Sequence, residues 1–450
     1  MSPPSRRQVL GALGVALAGC SDGPAVETAD PERSTVDPDR TTIAPGTPRT
    51  STSGGSSLPR TGPPPGGVDA FDDAIPAFMR DWDVPGASVA AVDGGRLVFA
   101  RGYGFADRET GTPVAPDALF RIGSLSKPLT ALGTLTLVED GALALSDRVA
   151  DVLAEHVPDG GPGDERVAEV TVGQLLRHTA GIDSGEIGFD PAFEPARVAD
   201  ATGTDPPADA DALARFVLDQ PLGTDPGSRF QYENAGYCLL GRVIEAASGA
   251  PYEASVRERV LEPLGAGGMS IGETRREGRR DGEVRYHGHD TVDSPFPDGG
   301  TVPRPYGVAH LPAIDAAGGW VGSAVDLLRI ARGIDGRESV PDVLAPETVE
   351  TLTARPAVPQ WDGSNQYYGA GWYVIPGDEG AALWHNGSLP GSYGFLLYDR
   401  GSDRGVAMLC NARSADARFR QFNAVAQRTL LEAFRAVETW PDRDLFGEFA

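Results

Sequence analysis

Phe120-Arg121-Ile122-Gly123-Ser124-Leu125-Ser126-Lys127-Pro128 is the stretch on which the reading of this chain turns. Residues three apart share a face of a helix, so Ser124 Oγ and Lys127 Nζ meet if a helix starts near Ser124. Pro128 fits the first turn of such a helix, where its missing N–H costs nothing. An amine removes a serine proton only when neutral, which requires burial or a nearby positive charge to lower its pKa. Ser-x-x-Lys alone is a weak signal, but Lys127 is the single lysine among 39 basic residues. Arginine cannot act as a base, so a lysine kept where arginine is otherwise universal points to an amine that must lose its proton. On these residues alone, a capped surface helix with an incidental lysine is the competing reading.

Outward from this stretch, residues 87–92 and 96–106 are apolar-rich runs joined by Asp93-Gly94-Gly95, a hairpin pattern. Near the other end, 367–375, 381–385, 392–399 and 405–410 read as short strands, followed by an amphipathic helix over about 418–437. Between the ends the chain turns helical. Thr171 and Gln174 have the spacing of a capping box ahead of Leu175-Leu176, with Gly181 as a stop. The run 236–247 puts Leu239, Leu240, Val243, Ile244 and Ala247 on one face and closes at Gly249. Strands at both ends with helices between predict an α/β (α+β) fold. Its antiparallel sheet is formed from both chain ends and flanked by helices, with a large helical region inserted at about 123–305.

Taken in order, several elements resemble the serine β-lactamase and penicillin-binding-protein superfamily, particularly its class C and esterase-like branch. They are Ser124-Leu125-Ser126-Lys127, Leu175-Leu176-Arg177-His178-Thr179-Ala180-Gly181, Tyr232-Glu233-Asn234 before a helix, Ala317-Gly318-Gly319-Trp320, and His385-Asn386-Gly387 ending a strand. The resemblance spans about 68–440. It implies that Ser124 is the acylated nucleophile, Lys127 its base or proton relay, and Tyr232 the shuttle to the leaving group. A phenol with pKa near 10 does this only if cations such as Lys127 depress it. Asn234 would bond Lys127 and the substrate, His385 and Gly387 would match the third motif, and the amides of Ser124 and Ser388 would form the oxyanion hole. His385 stands where members acting on β-lactams or D-alanine peptides usually carry a lysine. A mostly neutral imidazole there favours substrates without an obligatory carboxylate.

The 450 residues allow one large domain behind a tail. A net charge of -25 excludes nucleic acid and anionic membrane surfaces as partners, since phosphate binding needs clustered cations. An acidic chain with one lysine points to work in high salt, biased nucleotide composition being the alternative. A phosphate-binding Gly-Lys loop is impossible around Lys127, and three cysteines are too few for a disulfide framework or a cysteine-rich zinc site. No metal and no cofactor is expected.

Residues 1–20 read as an export signal. Arg6-Arg7 precede a short apolar stretch resembling a twin-arginine signal, and Leu17-Ala18-Gly19-Cys20 resembles a lipobox that would lipidate Cys20. Residues 21–67 are rich in Ser, Thr, Pro and Gly, the composition of a disordered tether. Residues 1–67 carry six arginines and six acids, so the whole charge falls on 68–450, the expected hydrolase domain. The resulting expectation is an exported serine hydrolase, a cell-surface lipoprotein at the outer face of the cytoplasmic membrane. It would act through an acyl-enzyme on a small ester, amide or β-lactam-like substrate. The alternative is a catalytically silent binding module of the same fold.

Overall fold

The computed structural model describes residues 58–63, 66–337 and 341–449. Its main sheet contains β1 (Arg60–Thr61), β2 (Gly86–Asp93), β3 (Arg96–Asp107), β4 (Tyr367–Tyr368), β5 (Tyr373–Ile375), β6 (Ala382–Leu389), β7 (Ser392–Asp399) and β8 (Arg404–Cys410). The order is β1-β3-β2-β8-β7-β6-β5-β4, every pairing is antiparallel, and Thr112–Pro113 adds to β3. The two ends of the domain therefore join at β2 and β8, where Ala90 pairs with Ala407. In the first hairpin Asp93 pairs with Arg96, leaving Gly94 and Gly95 as a two-residue loop with φ of 56° and 72°. Positive φ at both positions gives the turn whose twist matches the strands, and glycine enters it without strain.

β7 is buried at every residue, the pattern of a sheet covered on both faces. Tyr393 of β7 pairs with Cys410, and its ring meets Phe422 of α6 (Phe419–Ala436) at 5.2 Å. Gly405 lies five residues from Cys410 and hence on the opposite face, where Leu328 of α5 (Ala324–Arg332) approaches it. α1 (Asp69–Trp82) joins α6 through Phe78 and Phe422, 5.5 Å apart.

The helical region is centred on α2 (Ser126–Glu139), buried continuously from Ser126 to Leu137. Such a helix is apolar all round because it is packed on all sides. α3 (Val172–Leu176) carries the complete Thr171–Gln174 capping box, and α4 (Asn234–Ser248) ends at Gly249 with φ 69°.

Two boundaries differ from the sequence reading. Arg60 and Thr61, assigned by composition to the tether, pair with Tyr103 and Gly102, and the Arg60 guanidinium bonds the Asp72 carbonyl at 2.9 Å. An edge strand held by backbone bonds needs no apolar residues, so composition does not reveal it. Helices also continue past 305, through α5 and Pro346–Thr353. The export signal, Cys20 and most of the tether lie outside the described residues. Among the described residues no helix is long and apolar enough to cross a membrane.

Candidate active site

Ser124 sits in a single tight turn, Gly123–Leu125, that runs straight into α2. Gly123 has φ +54°, and a Cβ there would stand 2.7 Å from the Ser388 amide nitrogen. At Gly387 a Cβ would stand 1.8 Å from the Ile122 carbonyl oxygen. The two glycines thus let β6 press against the turn and bring Ser388 beside Ser124.

Lys127 is fully buried, and its Nζ lies 2.9 Å from each of Ser124 Oγ, Asn234 Oδ1 and the Ala317 carbonyl. Burial lowers its pKa to about 7, while the carboxylates of Asp190 and Glu233 pull it back upward. The partners decide where a neutral amine points. Asn234 Oδ1 and Ala317 O can only accept, so they take the two N–H bonds and the lone pair faces Ser124. The position of Ala317, in the turn Asp315–Gly319, explains part of the Ala317-Gly318-Gly319-Trp320 pattern. Trp320 N also donates to Ser126 Oγ at 3.2 Å, and Ile122 N to Trp320 O at 3.0 Å, tying that turn to the Ser124 segment.

Tyr232 stands just ahead of α4, with Lys127 Nζ 4.9 Å from its ring centre. The expectation of a depressed phenol is overturned. Burial drives the Tyr232 pKa well above 10 and a hydrogen bond with Ser124 offsets only part of it, leaving a neutral phenol. The ring rests on His178, 4.3 Å away, whose Nδ1 accepts from Glu233 N at 3.2 Å. Burial holds His178 far below its ordinary pKa, so it remains a neutral support.

His385 also departs from the expectation. Asn386 and Ser388 line the cleft, whereas His385 does not, although its ring packs 6.2 Å from Tyr232 and 5.7 Å from Tyr373, which do. His385 is 1% exposed. Its Nδ1 lies 2.6 Å from the Asn386 carbonyl and so carries the proton, and its Nε2 accepts from Tyr368 Oη at 3.1 Å. No ring donor is left for a substrate. Burial, aided by the Lys127 charge, lowers its pKa to about 3, so it is neutral. Gly387 likewise contributes space rather than a contact.

Sequence reasoning missed two carboxyl groups. Asp190 accepts from Asn234 Nδ2 at 2.8 Å, and Glu233 accepts from Ser184 N at 3.0 Å. Both are buried at the cleft wall, and burial raises Glu233 to about 7. Asp190-Pro191 reads locally as a helix cap, and nothing in the pattern links it to a residue 44 positions on. The cleft holds about 190 Å³ of water-accessible space. Ser124, Tyr232, Asn234 and Ser388 line it, together with Arg304, Arg413 and Arg420. A Gly-x-Ser-x-Gly match at Gly268-Met269-Ser270-Ile271-Gly272 is no nucleophile elbow. Ser270 lies in a two-residue strand away from the cleft lining and is bonded by Arg280. Cys238 and Cys410 are buried free thiols, and among the described residues no three His, Cys, Asp or Glu side chains gather as a metal site.

An antiparallel sheet flanked by helices, with a serine and a buried lysine at the foot of a central helix, defines the serine β-lactamase and penicillin-binding-protein superfamily. The family described as Beta-lactamase matches residues 71–429, and the chain belongs to it. Penicillin-binding protein 4 of Amycolatopsis lactamdurans is 30% identical over 370 residues, covering 78% of this chain and 86% of that protein. Esterase EstB of Burkholderia gladioli is 34% identical over 289 residues, 61% of this chain and 71% of the esterase. Among solved structures, the octameric penicillin-binding protein homologue from Pyrococcus abyssi aligns with TM-score 0.59 and 27% identity, covering 80% of this chain and 76% of that one. The D-amino acid amidase of Ochrobactrum anthropi SV3 shares the fold at TM-score 0.62 and 23% identity, covering 82% and 99%. The protein is a β-lactamase-family hydrolase with penicillin-binding-protein and esterase homologues.

Proposed function

We propose that the protein hydrolyses small esters or amides through an acyl-enzyme on Ser124. The observation that carries this reading is the 2.9 Å contact between Ser124 Oγ and a lysine amine with pKa about 7 whose remaining donors are committed elsewhere. Neutral Lys127 takes the Ser124 proton as Oγ bonds to the substrate carbonyl carbon. The amides of Ser124 and Ser388 receive the developing oxyanion. The leaving group departs with a proton from the neutral Tyr232 phenol, which regains one from the Lys127 ammonium. Water then attacks the acyl carbon, losing a proton to Lys127; the bond to Ser124 Oγ breaks, the acid product departs, and the Lys127 ammonium returns the proton to Oγ. The route uses no cofactor. A silent binding module is disfavoured, since burying a lysine without chemical use costs stability.

Treatment with a fluorophosphonate or a labelled penicillin, followed by mass analysis of the Ser124 peptide, tests the proposal. Adduct on Ser124 and none in Ser124→Ala is expected; hydrolysis without such an adduct would overturn it.

The N-terminal reading belongs to the same proposal: residues 1–20 export the chain, and lipid on Cys20 holds it at the outer face of the cytoplasmic membrane. One lipid chain anchors only marginally, so a paired lipid is expected. Cys20→Ser should release the protein or block its processing, and a wild type found wholly in the medium without lipid would exclude the anchor.

A further inference from the structure

Asp190 is a buried carboxyl group at the cleft wall, three hydrogen bonds removed from the nucleophile. Its Oδ1 accepts from Ala192 N at 3.0 Å, capping the turn Pro191–Phe193, and its Oδ2 accepts from Asn234 Nδ2 at 2.8 Å. The opposite end of the Asn234 amide, Oδ1, receives the bond from Lys127 Nζ at 2.9 Å. An amide can be turned end for end with little change in shape, and only its partners decide which end faces which way. An ionised carboxylate has no proton to give, so Asp190 admits one orientation only. Burial outweighs the bonds from Asn234 and Ala192 and leaves the Asp190 carboxyl raised above its ordinary value, but both of its oxygens face N–H donors, Ala192 N and Asn234 Nδ2, so the geometry is that of an acceptor-only carboxylate.

We infer that Asp190 is a positioning residue that locks the Asn234 amide with its oxygen toward Lys127 and thereby aims the Lys127 lone pair at Ser124. With the amide inverted, Nδ2 would face Lys127 as a donor and compete with Ser124 Oγ–H for that lone pair. The amine would then be held in place yet unable to serve as base. This inference rests on the proposed base role of Lys127 and adds to it the residue that sets the direction of proton transfer.

Two substitutions separate the lock from plain structural support. In Asp190→Asn, Oδ1 still caps Ala192 N, and the new Nδ2 in place of Oδ2 requires Asn234 to present its oxygen, which inverts the amide. In Asp190→Ser the hydroxyl still suits the cap but is too short to reach Asn234, so the amide is released without being inverted. We expect the isosteric Asp190→Asn to be the worse enzyme. Its kcat should fall about 10²-fold, a loss typical of a misdirected catalytic group, with KM changed less than about twofold. Asp190→Ser should lose about tenfold, near one charge-assisted hydrogen bond. A purely structural aspartate predicts the reverse order, because Asn preserves shape and Ser does not. The inference is overturned if Asp190→Ser is as slow as Asp190→Asn or slower, or if the loss falls in KM. Fluorophosphonate labelling of wild-type Ser124 in the same experiment separates the two levels. Labelled Ser124 with the wrong order of variants sinks the lock alone, and an unlabelled Ser124 sinks the acyl-enzyme reading.

Discussion

A methyl group at Gly387 would stand 1.8 Å from the Ile122 carbonyl oxygen, so β6 lies against the turn that carries Ser124 with no room for a side chain. Backbone, not a flexible side chain, is what the methyl would meet, and the strand or the turn must move. Gly387→Ala should cost about 1–3 kcal/mol of stability, as overpacking does. Separating Ser124 from Ser388 should also lower turnover about 10²-fold. Chemical denaturation and steady-state kinetics on the variant measure both, and near-normal turnover would show that the β6 contact does not set the site.

How far the sequence was legible follows from the range of the interactions. The Gly94-Gly95 hairpin, the Thr171–Gln174 capping box and the Gly249 stop were readable because each is settled by neighbours a few residues apart. Ser124 and Lys127 were readable for the same reason, and Asn234 through the resemblance. His385 was read as a substrate contact because its motif is visible in the sequence, while the Asn386 carbonyl and Tyr368 hydroxyl that occupy its ring nitrogens are not. The depressed Tyr232 was misjudged because the nearby Lys127 is visible in a sequence while the burial that outweighs it is not. Asp190 was missed because its partner lies 44 residues away and its own surroundings spell only a helix cap.

The Lys127 amine must be neutral to accept the Ser124 proton, and burial brings its pKa to about 7. Activity should therefore rise with pH through a midpoint near 7 in a plot of kcat/KM, because raising pH removes the proton that blocks the lone pair. Lys127→Arg should show no such limb and lose several orders of magnitude while remaining folded, since a guanidinium stays protonated. Ser124→Ala should lose as much, because the two groups act as one unit. Near-normal turnover in Lys127→Arg would remove the amine from the mechanism.

The same burial should appear as a stability cost. The folded-state pKa of Lys127 lies below that of the unfolded chain, so unfolding takes up a proton between about 7 and 10.5. Folding is penalised fully below about 7, and the penalty fades as pH rises toward 10.5. Lys127→Met should thus be inactive but more stable than wild type at pH 6, by at most on the order of 5 kcal/mol. That advantage should shrink on raising the pH to 9. Paired denaturation curves at the two pH values decide it, and an advantage that grows with pH would contradict a lysine held neutral by burial.

Selectivity for substrate charge must come from somewhere other than His385, which is buried and neutral, with both ring nitrogens occupied. Three arginines reach the cleft wall. Arg304 is engaged by Asp290 and Asp416, and Arg413 by Asp416, so part of their charge is already answered. Arg420, at the start of α6, is exposed and has no ion-pair partner among the described residues. A substrate carboxylate reaching the outer cleft would meet Arg420 first. An exposed charge contributes about 1 kcal/mol or less to such a contact, so the effect is modest. Arg420→Ala should lower kcat/KM for a carboxylated substrate about three- to fivefold while leaving a neutral short-chain ester unchanged, and the difference should fade as salt is raised. Equal loss on both substrates, or a difference insensitive to salt, would mean that Arg420 shapes the cleft rather than reading charge.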